Sequence, residues 1–238
     1  MKHIFFDLDH TLWDFEKNSK LALEILFEEL EMINQLPSFQ RFHTKYKKIN
    51  AKLWHQYGTG EISKNTLRVK RFTDTFSEFN FENKELAEQL AIRYTQVSPY
   101  QTNLFPNAIE TLEELKKEGY QLHIITNGFK EVQFIKLTQS GLLDFFDVIL
   151  CSEEVGKNKP AKEVFTEAMK RANAHAHESI MVGDDYHCDI IGAENCGIRS
   201  ILFDTKNGHQ EGAHEWQIKN LNEIIGLIPW IKVAQTRL

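Results

Sequence analysis

Cysteine is scarce in this sequence: Cys151, Cys188 and Cys196 are the three present, with no C-x-x-C pairing. An odd, sparse set reads as reduced thiols and excludes a disulfide framework. No apolar run approaches the ~20 residues that a membrane helix needs. Ile4-Phe5-Phe6, just after the start, is too short for the apolar segment of a signal peptide, roughly 7–15 residues. The expectation is a cytoplasmic protein with no membrane partner. An excess of positive charge is also missing. Lys and Arg number 28 against 34 Asp and Glu, a net charge of −6, so no global basic footprint points to nucleic acid. No G-x-G-x-x-G occurs, and Gly156-Lys157 lacks both the upstream glycine and the Ser/Thr of a Walker loop. Nucleotide cofactors are not indicated.

What is present is an ordinary globular composition, 42% hydrophobic and 26% charged, on 238 residues. That length buries a substantial core in one or two domains. Two textures divide it. Residues 1–15 and 99–238 carry short apolar runs, expected as strands at Ile4–Leu8, Gln121–Thr126, Val148–Cys151, Ser179–Val182 and Ser200–Phe203. Helical patterns lie between them at Asn107–Glu118, Lys130–Ser140, Ala161–Ala172 and Asp189–Cys196, with a terminal helix at Asn220–Leu227 stopped before Pro229. Gly119, Gly141 and Gly197 punctuate the helix ends. Alternating strands and helices predict a parallel sheet covered on both faces. Residues 16–98 instead show only helical spacing, as in Leu21, Leu23, Ile25, Leu26, Leu30 and Ile33, and in Leu86, Leu90, Ala91 and Tyr94. The fold class expected is α/β, a Rossmann-like parallel-sheet core with an inserted all-helical domain.

Four polar clusters fall at the C-terminal ends of expected core strands. They are Asp7-Leu8-Asp9-His10-Thr11, Thr126-Asn127-Gly128, Lys159-Pro160 at the start of the helix after the third strand, and Gly183-Asp184-Asp185 with Asp189 beyond. Any one alone reads as turn or cap chemistry. Together they occupy the edge where open α/β sheets hold ligands. A carboxylate nearing a dianionic phosphate ester is repelled by about 1 kcal/mol in water at 4 Å, and by far more in a dry pocket. Such a set therefore needs a cation, and oxygen-only ligands favour Mg²⁺. Lys159 supplies a fixed positive charge and Thr126 a hydroxyl donor, while Asp9 is suited to general acid–base work.

This ordered set resembles the haloacid dehalogenase-like hydrolase superfamily over essentially the whole chain. The resemblance implies a phosphatase in which Asp7 is the nucleophile and Asp9 the general acid/base. It implies that Thr126, Asn127, Gly128 and Lys159 hold the phosphoryl group. It implies further that Asp7, Asp9 (through its main-chain carbonyl) and Asp184 bind Mg²⁺, and that Asp189 orients the metal's surroundings. The helical insertion is similar to the family's type 1 cap. Position 10 is usually Gly in these enzymes and is His10 here, so the turn must accept a side chain or use it on the substrate. The adjacent acids Asp184 and Asp185 leave open which one faces the metal, with Asp184 preferred as the residue directly after Gly183.

Ile125-Thr126-Asn127-Gly128-Phe129, Ser152-Glu153-Glu154-Val155-Gly156 and Met181-Val182-Gly183-Asp184 are similar to the bacterial pyrimidine 5′-nucleotidases of the YjjG type. So are Leu53-Trp54, Tyr57, Gly60, Ile62, Leu67, Arg71 and Phe72. That likeness implies a small-molecule partner, a nucleoside 5′-monophosphate; the expected assembly is a monomer or homodimer. Sugar-phosphate or phosphoglycolate phosphatase is the alternative, followed by β-phosphoglucomutase and a catalytically silent module. A dehalogenase is disfavoured because Asp9 is present.

Residues 38–73 hold nine Lys/Arg against one acid, Glu61. This block reads mostly as a solvated helix face, with Arg68 and Arg71 as candidate exceptions and Arg71 as the candidate substrate contact. Trp54 and Tyr57 are read as packing before base stacking. His175 and His177 lack further ligands at zinc spacing and are read as surface residues.

Overall fold

The computed structural model describes residues 1–205 and 214–235. Six strands form one parallel sheet: β1 (His3–Phe6), β2 (Gln121–Thr126), β3 (Val148–Cys151), β4 (Ser179–Gly183), β5 (Arg199–Phe203) and β6 (Gln217–Ile218). Their order is β3-β2-β1-β4-β5-β6. Chain direction across the sheet reverses between β1 and β4, the switch point at which doubly wound sheets open a crevice.

Period-two alternation puts successive side chains on opposite faces. Ile4, Phe6, Ile124, Ile180 and Val182 enter one core with Leu112 and Leu115 of α5 (Ala108–Lys117). Ile224, Ile228 and Ile231 of α9 (Glu223–Gln235) join them. Phe5, Ile125 and Met181 enter the other, against Val164, Phe165 and Ala168 of α7 (Lys162–Ala172). Two further helices of this unit are α6 (Lys130–Gln139) and the short α8 (Gly192–Glu194).

The chain divides into two compact units, Met1–Phe15 with Thr102–Leu238, and Glu16–Gln101. The second unit is helical throughout: α1 (Phe15–Glu29, its first residue in the other unit), α2 (Phe39–Gly58), α3 (Lys64–Ser77) and α4 (Lys84–Val97), with short 3-10 turns. Ser38, Ser63 and Asn83 each cap a helix by accepting a backbone N–H three residues on. Leu23, Leu26, Phe42, Tyr46, Phe72, Phe76, Leu90 and Tyr94 form a core of the unit's own.

Four expectations change. α9 continues through Pro229 instead of stopping before it, because Ile224, Ile228 and Ile231 bury one stripe on both sides of the proline. A π-helical turn, Tyr186–Ile191, replaces the start of the helix expected at Asp189–Cys196, and only Gly192–Glu194 is α-helical. β6 is two residues long, too short to leave a periodic signal. Ile25 and Ile33 are 45% and 59% exposed, while Phe27 and Met32 take the buried places.

Candidate active site

Asp7 leaves β1 with its backbone N–H donated to Val182 O at 2.9 Å, which ties it to the β4 side of the switch point. The turn beyond it closes on itself through Leu12 N to Leu8 O and His10 N to Trp13 O, each 3.0 Å. His10 sits at φ 66°, the left-handed region that favours glycine, and its ring lies 4.8 Å from Phe15. The residue that departs from the family pattern therefore fills a backbone position made for Gly.

Lys159 is the hub of the site. Its ammonium donates to Asp7 Oδ1 at 2.6 Å, Asp189 Oδ1 at 2.6 Å and Ile125 O at 2.7 Å. Asn127 fixes the loop that carries it, accepting Lys159 N–H at 2.8 Å and donating to Lys159 O at 3.2 Å. Oxygens of Asp7, Asp184 and Asp189 all lie within 4.8 Å of one another. Asp184 Oδ1 accepts the Thr11 hydroxyl at 3.4 Å.

Asp185 has a different task. Its Oδ1 accepts the N–H groups of His187 and Cys188 at 2.9 and 2.8 Å and caps the π turn. Asp189 Oδ2 accepts the Asp185 N–H at 3.1 Å, so both Asp189 oxygens are engaged. Gly183 permits this approach, since a Cβ there would stand 2.3 Å from Asp189 Oδ2.

The electrostatics follow from burial of three acids beside one base. Burial pushes the Asp7 carboxyl up to about 7, with Lys159 opposing the rise and Asp189 adding to it. Burial, then Asp7 and Asp189, raise Asp184 well above the carboxylate range. Asp189 is raised chiefly by burial against the pull of Lys159. Burial opposes the charge on Lys159, but Asp189 and Asp7 outweigh it and hold the ammonium above its ordinary range. Fully ionised, the cluster would carry more negative charge than its one lysine balances, so the acids retain protons until a cation takes their place. Hard oxygen donors in this state suit Mg²⁺, and the fit is sound.

Thr126 Oγ1 accepts the Gly128 N–H at 3.0 Å. Asp9 is held by two residues that the sequence reading left out: Lys136 Nζ reaches Oδ1 at 2.6 Å and Gln133 Nε2 reaches Oδ2 at 2.8 Å. A signal for them existed. Gln133 and Lys136 share the buried face of α6 with Leu137, and polar residues on such a face need a polar partner.

Arg71 belongs to the helical unit. It is 4% exposed, its guanidinium 4.5 Å from the Tyr94 ring centroid and 5.0 Å from that of Phe72. Arg68 is half-buried, Trp54 and Tyr57 are half-buried against each other at 5.7 Å, and His175 and His177 are exposed. Lys45, Lys47 and Lys70 of the basic block pair with Glu78, Glu16 and Asp74.

A doubly wound parallel sheet with an acid-and-lysine cluster at its carboxyl edge has the form of an α/β enzyme core. The family model for haloacid dehalogenase-like hydrolase matches residues 4–203, and the chain belongs to that family. It is 32% identical over 228 residues to the pyrimidine 5′-nucleotidase YjjG of Escherichia coli, covering 94% of this chain and 96% of that one. It is 33% identical over 215 residues to a glyceraldehyde 3-phosphate phosphatase of Methanothermobacter thermautotrophicus, covering 90% of each. Among solved structures, the HAD-hydrolase YfnB of Bacillus subtilis, bound to magnesium, matches with a TM-score of 0.86 at 27% identity, over 96% of this chain and 98% of that one. No helix among the described residues is long and apolar enough to cross a membrane.

Proposed function

We propose that this protein is a magnesium-dependent phosphomonoester hydrolase that works through an aspartyl-phosphate on Asp7, with nucleoside 5′-monophosphates, pyrimidine ones in particular, as substrates. The observation that carries the reading is the Lys159 ammonium clamped 2.6 Å from both Asp7 and Asp189, beside Asp184. Asp7, Asp184 and the Asp9 carbonyl are the groups that would hold Mg²⁺, with Asp189 steadying them. Mg²⁺, when bound, neutralises charge on the carboxylates and on the phosphoryl oxygens.

Lys159 occupies Asp7 Oδ1, and Oδ2 is the oxygen left for attack on phosphorus. As the Asp7–phosphorus bond forms, the ester P–O bond breaks and Asp9 delivers a proton to the departing oxygen. Asp9 then takes a proton from water as that water attacks the phosphorus, releasing phosphate and restoring the Asp7 carboxylate. Thr126 donates to a phosphoryl oxygen, while Lys159, its three hydrogens given to Asp7, Asp189 and Ile125, offsets the phosphoryl charge from beside it. We read the helical unit, inserted just after the nucleophile turn, as the cap that selects the leaving group, with Arg71 as its candidate contact and His10 as a contact from the core.

The likeness to a pyrimidine 5′-nucleotidase supports the nucleotide. The likeness to glyceraldehyde 3-phosphate phosphatases supports a sugar or triose phosphate as the second reading. A panel of nucleoside monophosphates, sugar phosphates and phosphoglycolate, ranked by kcat/KM with and without Mg²⁺, separates them. A pyrimidine monophosphate at the head of the ranking upholds the first reading. A triose phosphate there upholds the second. Zero turnover throughout sinks both in favour of a silent module.

A further inference from the structure

Gln133 and Lys136 lie one turn apart on α6 and are buried, Gln133 completely and Lys136 to 4% exposure. Gln133 Nε2 donates to Thr126 Oγ1 at 2.7 Å and to Asp9 Oδ2 at 2.8 Å. Lys136 Nζ donates to Asp9 Oδ1 at 2.6 Å and stands 4.2 Å from the ring centroid of the fully buried Trp13. One helix therefore grips both oxygens of Asp9. The Thr126 hydroxyl oxygen also accepts the Gly128 N–H at 3.0 Å. A hydroxyl has two lone pairs and one hydrogen. With both lone pairs taken, its hydrogen has only the donor role left, which is the sense that a phosphoryl oxygen requires.

This arrangement is costly. A buried ammonium loses several kcal/mol of hydration. The Gln133 Oε1 is buried with no hydrogen-bond partner among the described residues. Gly128 leaves room for the amide, since a Cβ there would meet Gln133 Nε2 at 2.2 Å and displace the side chain from this position. A face serving packing alone would continue with residues like its neighbour Leu137.

We propose that Gln133 and Lys136 are positioning residues of the reaction. Lys136 fixes the rotamer of Asp9, and Gln133 couples that rotamer to the donor sense of Thr126. The inference rests on the phosphatase reading above. Lys136 acts on the step in which the leaving oxygen is protonated and on the attack of water. Gln133 acts additionally on phosphoryl binding, whatever the ester.

Single-turnover rates with Mg²⁺ on two esters test this. The p-nitrophenolate group departs with little protonation, whereas a nucleoside alkoxide needs it. For Lys136→Met we expect a fall of about 10–100-fold on a nucleoside monophosphate, the loss typical when a supporting partner is removed. The p-nitrophenolate burst should fall less than about threefold, with slow turnover after it. Lys136→Arg should recover most of the nucleotide rate. Gln133→Leu should slow both esters about tenfold. Equal losses on the two esters for Lys136→Met, or no loss, overturn the role of Lys136, and an unaffected Gln133→Leu overturns that of Gln133. Thermal unfolding checks each variant, and Lys136→Gln is read by the same criteria if Lys136→Met does not fold. A wild type inactive on every ester sinks the phosphatase reading itself, while an active wild type beside an unaffected Lys136→Met sinks this inference alone.

Discussion

The ammonium of Lys159 lies 2.6 Å from Oδ1 of Asp7, with the lysine side chain 2% and the aspartate side chain 10% exposed. Both charges are held away from water, and the pair is anchored a second time by Asp189, also at 2.6 Å. Removing one partner from such a cluster is expected to cost about 3–5 kcal/mol, because the remaining charges stay buried. Lys159→Met should show that deficit in denaturant titrations of the metal-free protein at pH 8. At pH 5 the deficit should shrink as the acids take up protons. An identical deficit at both pH values would assign Lys159 to packing.

Metal and proton compete for the same oxygens. The folded value of Asp7, about 7, lies above its ordinary 3.8, and Asp184 and Asp189 are raised as well. Folded acids raised in this way bind protons more tightly than the unfolded chain does. Their stabilising contribution is complete below about pH 4 and is lost as pH rises through 7. Mg²⁺ should therefore raise the Tm strongly at pH 8 and little at pH 5. At a hundredfold excess over Kd the gain approaches about 2.7 kcal/mol. A gain larger at pH 5 than at pH 8 would contradict the assignment of these acids.

Asp7→Asn removes the nucleophile while keeping the side chain's shape, so turnover should vanish and the melting curve persist. Near-normal hydrolysis by that variant would refute the covalent route. Asp9→Asn should slow both leaving-group departure and phosphoenzyme breakdown, by about 10²–10⁴-fold overall. Full activity would remove Asp9 from the acid–base role.

Gly183 is a spacer for a carboxylate. Gly183→Ala would set a methyl within 2.3–2.5 Å of three atoms of Asp189. The expected result is a stability loss of about 1–3 kcal/mol, as for overpacking elsewhere, with a fall in kcat from the displaced Lys159–Asp189 pair. Unchanged stability and rate would show that Asp189 can shift without consequence.

On β1 and β2, His3 Nδ1 and His123 Nε2 meet at 3.1 Å, both rings buried. Burial first, and then His3, push His123 down to about 4. A base with its folded value below the unfolded 6.5 stabilises fully above pH 6.5 and loses that contribution as pH falls toward 4. The loss is about 3 kcal/mol for a shift of this size. In metal-free buffer the denaturant midpoint should carry this drop over that range, superimposed on the rise that the acids contribute. His123→Leu should flatten the drop, and an equally steep fall in that variant would clear His123.

The amino-acid order determined a good deal unaided. Buried parallel strands must be short and apolar, so β2 and β3 were legible to the residue. The acids, Thr126 and Lys159 were legible because strand ends in such a sheet converge on one edge. Local pattern misled where tertiary packing overrode it. Pro229 lies inside a helix held by buried isoleucines, and Ile25 and Ile33 obey helical spacing yet face solvent.

Other choices belonged to the folded chain alone. Two adjacent aspartates look alike in a string, but the π turn needs one as its cap, which spends Asp185 and turns Asp184 toward Asp7. Gln133 and Lys136 are ordinary residues of an amphipathic helix until α6 closes on the loop after β1, 124 and 127 positions away from their partner Asp9. Periodicity encodes which face of an element is buried, and it carries no information about which polar group lies opposite. That information arises only when distant segments pack, because hydrogen bonds and ion pairs act over a few ångströms of space.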